Sequence, residues 1–168
     1  ISTDTIQSSI FYQRLIHKAA VGGHSMGGGC SFLAASTQNP LIYALFNMSA
    51  AETNPSATTA ASSINIPTLI FSGSNDCIVP PATQQAMYNN VISSCKSVVN
   101  ITGATHCQFA DNNFNCTFGQ VSSGCNTSPI TVTIVYTKLI SLLIPFLDYN
   151  LKDNCRSEEH TSELQSPC

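Results

Sequence analysis

The chain has 168 residues, 43% of them apolar and only 9% charged, with a formal net charge of −3. That is long enough for one domain with a real core, and too apolar and weakly charged for a disordered chain. No basic cluster occurs anywhere, so nucleic-acid binding has no electrostatic support.

Taken in order, Ser8–Ile16 carries Ile10, Phe11, Leu15 and Ile16 at helical spacing. Ala19–Val21 is a short apolar run ending in glycine, as a buried strand would, and Ser31–Ser36 is helix-friendly and stops before Asn39-Pro40. Leu41–Met48 is apolar and strand-length, and residues 52–63 are rich in Ser, Thr and Ala, a loop or weak helix. Pro67–Gly73 reads as a buried strand with a glycine exit, Pro81–Ile92 as a helix with proline near its start, and Ser97–Thr102 as a strand. Residues 107–128, with their Cys, Asn and Gly, read as a long loop, and Ile130–Leu147 as a helix. Within it, Leu139–Leu147 is the longest strongly apolar run; at nine residues, broken by Ser141 and Pro145, it is too short to span a bilayer. Short apolar strands alternating with helices predict an α/β fold with a mostly parallel sheet flanked by helices, whose chemistry gathers at the carboxyl ends of the strands.

The stretch "AAVGGHSMGGGCSF", residues 19–32, places five glycines around Ser25. Gly23-His-Ser-Met-Gly27 matches G-x-S-x-G with a strand before it and a helix after it, the context of a nucleophile elbow. Here Gly23 and Gly27 are expected to leave room for neighbouring backbone, and Gly28 and Gly29 to let the helix approach the sheet. A serine hydroxyl needs a base, and among residues 26–155 the one histidine is His106. Asp76 follows the strand at 67–73, so the order Ser25, Asp76, His106 is the order that this elbow fold uses. Asp76 then orients and stabilises the imidazole of His106, while amide N–H groups at the N-terminus of the following helix can stabilise an oxyanion. Glu52 is the alternative acid. Asp111 follows the histidine and breaks the order, His24 packs beside the elbow, and His17 has no role.

The chain has eight cysteines, none in CxxC spacing, which favours disulfides and a secreted or periplasmic setting over zinc clusters. Cys30 reads as a small buried residue. Cys77 and Cys107 each directly follow a triad residue; a bond between them would tie the acid loop to the base loop, and Cys77–Cys95 is an equal alternative. Asn47, Asn100, Asn115 and Asn126 sit in glycosylation sequons that read as chance matches. Residues 156–166, "RSEEHTSELQS", resemble the translation of a sequencing-library adapter. Residues 156–168 are therefore set aside as a non-native or disordered tail, leaving 1–155 with five basic and six acidic side chains.

"GHSMGGG", "PTLIFSGSNDCIVP" and "GATHCQF" together resemble secreted α/β-hydrolases of the cutinase-like, polyester-hydrolase and dienelactone-hydrolase-like group, over roughly residues 19–150. The resemblance implies Ser25, Asp76 and His106 as triad, Met26 as oxyanion donor, no metal or cofactor, and a small-molecule or polymeric ester as substrate. Ser25 stands where dienelactone hydrolases use cysteine, which points to the esterase side. "SAAETNP", residues 49–55, stands where plastic-degrading members usually carry a tryptophan, and this chain has none. The resemblance further implies that residues 1–155 are the C-terminal portion of one α/β-hydrolase domain. The early strands and the loop with the second oxyanion donor would then lie upstream, and the isolated piece is expected to fold poorly and act weakly. The predicted activity is ester hydrolysis through an acyl-enzyme. The alternatives are an acyltransferase or peptidase on the same triad, or a non-catalytic hydrolase-like binding domain.

Overall fold

A computed structural model describes residues 7–10, 17–111, 114–125 and 128–152. Most of the helix predicted at Ser8–Ile16, Asn126, Cys155 and the 156–168 tail lie outside the described residues. In chain order the elements are β1 (Ala19–His24), α1 (Met26–Ser36), β2 (Ile42–Met48), α2 (Ala57–Ala61), β3 (Thr68–Gly73), α3 (Pro81–Asn90), β4 (Lys96–Ile101), a 3₁₀ turn (His106–Phe109), α4 (Phe114–Ser122) and α5 (Val132–Lys152). The four strands lie side by side in the order β1-β2-β3-β4. Every neighbouring pair is parallel.

Side-chain alternation along the strands splits the core into two layers. Leu45 and Ile70 pack with Phe32, Ala57, Met87 and Val91 of α1, α2 and α3 and the chain that follows α3. Ala44, Leu69 and Phe71 point the other way, onto Val135, Leu139, Leu143 and Phe146 of α5. All six residues of β3 are buried, as a strand covered on both faces must be. The sheet is thus enclosed by helices and its strand ends are left free to carry loops.

Two elements depart from the sequence reading. The predicted 107–128 loop holds the 3₁₀ turn and α4; Phe114, Phe118 and Val121 sit at helical spacing, a signal that the surrounding Cys, Asn and Gly masked. The second departure is α5, the helix expected at Ile130–Leu147, which runs five residues further to Lys152; at 21 residues it is, by length and composition alone, long and apolar enough to cross a bilayer, although the Leu139–Leu147 run within it read as too short. One stripe of it, Val135, Leu139, Leu143 and Phe146, belongs to the second core layer.

Candidate active site

β1 ends in Gly23-His24, and the chain reverses at once into α1. Ser25, at the corner, has φ 56° and ψ −123°, a left-handed backbone that costs a non-glycine residue conformational energy. Surrounding hydrogen bonds hold it there: Ser25 N–H donates to the Met48 carbonyl at 3.1 Å, and its own carbonyl accepts from Ala51 at 2.8 Å and Gly29 at 3.1 Å. A Cβ on Gly23 would lie 2.5 Å from the Gly27 carbonyl carbon, and one on Gly28 2.8 Å from Ala50, so both must be glycine. Gly27 corrects the expectation drawn from the motif: a Cβ there meets nothing within 4 Å. Met26 is the first residue of α1, so its amide is one of those that a helix N-terminus leaves without an intrahelical acceptor.

Asp76 lies three residues beyond β3 and His106 five beyond β4. The two loops can approach because Gly73 has no side chain; a Cβ there would be 2.5 Å from the Ala104 carbonyl oxygen. Asp76 Oδ2 accepts from His106 Nδ1 at 2.8 Å, and both side chains are buried. The other carboxylate oxygen accepts the amides of Ile78 at 3.0 Å and Val79 at 2.8 Å. These contacts fix the carboxylate in place. On the far side of the ring, His106 Nε2 is 2.9 Å from Ser25 Oγ. Three residues predicted together from the sequence are therefore hydrogen-bonded in series at the carboxyl end of a parallel sheet.

The turn that carries His106, the base expected from the sequence (the base turn), has anchors that the sequence did not announce. Gln108 Oε1 accepts the Thr105 amide at 2.9 Å, and its Nε2 donates to the Ile130 carbonyl at 2.8 Å, linking the turn to the approach of α5. His24 Nε2 donates to the His106 carbonyl at 3.0 Å, and the two imidazoles lie 4.6 Å apart. Burial first, and the neighbouring His106 second, lower the His24 pKa from its ordinary 6.5. Glu52, the alternative acid, is engaged elsewhere: it accepts the Ala57 amide at 2.6 Å and those of Thr53 and Thr58, at the start of α2. Burial alone would raise its pKa, but these donors, the Thr58 hydroxyl foremost, outweigh that and lower it. Asp111 is exposed and meets the Tyr136 hydroxyl, and His17 is exposed ahead of β1.

The disulfides also differ from expectation. Cys77 bonds Cys125, and Cys107 bonds Cys116, so neither Cys77–Cys107 nor Cys77–Cys95 forms. Acid and base loops are still linked, but through α4, because Cys116 lies within that helix and Cys125 just beyond it. Cys95 is disulfide-bonded as well, whereas Cys30 is free and exposed, on the outer side of α1 rather than in the core. Asn47 is fully buried, which confirms its sequon as a chance match.

A parallel sheet layered by helices, with a strand-elbow-helix carrying a serine at its rim, defines an α/β-hydrolase fold. The PET hydrolase-like family, PETase, matches residues 1–123, and the chain belongs to that family. It is 37% identical over 123 residues to cutinase 1 of Thermobifida cellulosilytica, across 72% of this chain and 43% of that protein. It is also 37% identical to a cutinase of Thermobifida fusca strain YX, across 72% and 37%. The chain thus spans about two fifths of the length of these relatives. Among solved structures, a monoacylglycerol lipase of Paleococcus ferrophilus overlays with a TM-score of 0.48 at 18% identity, covering 64% of this chain and 67% of that one.

Proposed function

We propose that the chain carries the catalytic part of a serine carboxylic-ester hydrolase working through an acyl-enzyme. The observation that supports it is the unbroken series Asp76–His106–Ser25, with links of 2.8 and 2.9 Å, ending on a serine held at φ 56°. Ser25 Oγ attacks the ester carbonyl carbon while His106 Nε2 takes its proton. The Asp76 carboxylate stabilises the imidazolium and holds the tautomer that presents Nε2. Charge builds on the former carbonyl oxygen, where the Met26 amide donates to it and is helped by the N-terminal end of α1. His106 returns the proton to the departing alcohol, and the ester C–O bond breaks. Water, deprotonated by the same nitrogen, then releases the acid and restores Ser25.

The names of the relatives point to polymeric esters, and we infer that an insoluble polyester is within reach of the same site. Disulfides flanking the acid and the base suit a secreted or periplasmic protein. The test is made in the complete chain. A fluorophosphonate should label Ser25, and Ser25→Ala should lower hydrolysis of p-nitrophenyl butyrate by about 10⁴-fold or more. Label on another serine, or a Ser25→Ala variant that keeps its rate, removes the assignment. An unreactive serine in the folded complete protein favours a binding domain instead.

A further inference from the structure

α4 is an unusual helix for a soluble domain. None of its nine residues is buried, and it touches the fold through the base turn. Cys116 bonds Cys107, and Gln120 Oε1 accepts the Cys107 amide at 3.4 Å. At about 100° per residue these two positions share one side of the helix, and Phe114, Phe118 and Val121 point roughly 150° away. The ordinary amphipathic arrangement is thus inverted, with polar and covalent contacts inward and the apolar stripe outward. Phe114 is 79%, Phe118 63% and Val121 62% exposed. The two phenyl rings stack with centroids 6.0 Å apart and planes inclined by 22°. A nine-residue helix without buried side chains has little reason to persist in water, yet disulfides at Cys116 and Cys125 fasten it to the residues directly after His106 and Asp76.

Charge and area narrow down what this stripe meets. Between His106 and Lys138 the one formally charged side chain is Asp111, so no acidic or basic partner is matched. Aromatic side chains present about 150–250 Å² each, so the stripe offers on the order of 300–400 Å². That falls well short of the roughly 800 Å² per partner of a stable protein interface, but lies within the range of functional apolar patches. It fits weak, repeated contact with neutral apolar matter. We propose that the Phe114–Phe118–Val121 face of α4 is an adsorption surface for the chains of an apolar polyester, which it holds beside the base turn. The proposal rests on the ester-hydrolase reading above. It assigns α4 the capture of insoluble polymer and leaves the cleavage of soluble esters to the triad.

The double variant Phe114→Ser/Phe118→Ser removes the rings at exposed positions, and its folding is checked by circular dichroism. In the complete chain it should bind polycaprolactone nanoparticles roughly tenfold more weakly than the parent and release soluble products from them correspondingly slowly. Its kcat/KM for p-nitrophenyl butyrate should stay within about twofold of the parent. Unchanged particle binding overturns the proposal, as does an equal loss on both substrates, which would make α4 part of the small-ester site. A concentration-dependent dimer in the parent that the variant abolishes, seen by light scattering, would assign the stripe to a second copy and overturn it too. If the parent cleaves neither substrate, the ester-hydrolase reading fails instead, and particle binding by parent and variant still decides the role of the stripe.

Discussion

The elbow and α4 stand on the same rim of the sheet and are held there by different forces. Around Ser25 the chain is fixed by backbone against backbone: the Gly23 position abuts Gly27, the Gly28 position abuts Ala50, and the Ser25 carbonyl takes two amides. α4 has no such packing, and two disulfides tether it to the acid and base loops. The contrast separates two requirements. As the proposed nucleophile, Ser25 must hold a strained geometry to within a fraction of an ångström, which close packing can impose. A helix that buries no side chain fully against its own fold relies on covalent tethers to stay in place.

The sharpest way to break this comparison is to add one methyl group to the elbow. Gly23→Ala should push its Cβ into the Gly27 carbonyl, 2.5 Å away, and reduce kcat/KM for p-nitrophenyl butyrate by about a hundredfold. Overpacking should also lower stability by about 1–3 kcal/mol in urea unfolding. Gly27→Ala is the control, because no atom lies near its Cβ. It should stabilise by up to about 1 kcal/mol, since alanine is the better helix former. Equal behaviour of the two variants would mean that the motif glycines act through flexibility rather than space.

Removing a tether tests the other half. The Cys77–Cys125 bond closes 48 residues and Cys107–Cys116 only nine, so chain entropy assigns about 4 and about 3 kcal/mol to them. Cys77→Ser/Cys125→Ser should therefore lower the urea midpoint more than Cys107→Ser/Cys116→Ser. Elastase or thermolysin digestion should cut both variants within 106–125 before the sheet is touched. An elbow-centred cut, or no change in midpoint, would show that α4 is held by something other than its disulfides.

What could be read from the sequence follows the same division. Ser25, Asp76 and His106 each stand in a short motif just past an apolar strand, and a parallel sheet brings all such ends to one edge; local signals sufficed. Disulfide pairing has no local signal, and Cys77 finds Cys125 only because α4 folds back over the base turn. The helix itself was masked because its apolar residues serve no core. Cys30 misled for a related reason: it lies in an apolar run, but the helical turn that buries Phe32 leaves it outside. Gly27 failed because the motif names a residue type, while the space around it depends on chain 3D neighbours that no motif encodes.

His24 ties the elbow strand to the turn on which α4 is tethered, since it belongs to β1 yet donates to the carbonyl of His106, 82 residues away. Burial, then the proximity of His106, depress its pKa below 6.5, although its hydrogen bond to His106 and the Asp76 charge act the other way. A histidine more easily protonated when unfolded gives stability that is present above 6.5 and lost as pH falls through the folded value. His24→Phe keeps a ring beside His106 and Phe109 but neither titrates nor donates. The difference in urea midpoint between pH 7.5 and pH 5.5 should therefore be smaller in this variant than in the parent, by a modest amount because the group is only partly buried. Losing the donor should also loosen the base turn and lower kcat for soluble ester by a few-fold, with KM little changed. If the variant shows the full pH difference of the parent, the acid sensitivity belongs to other groups, and His24 acts on the base turn through packing alone.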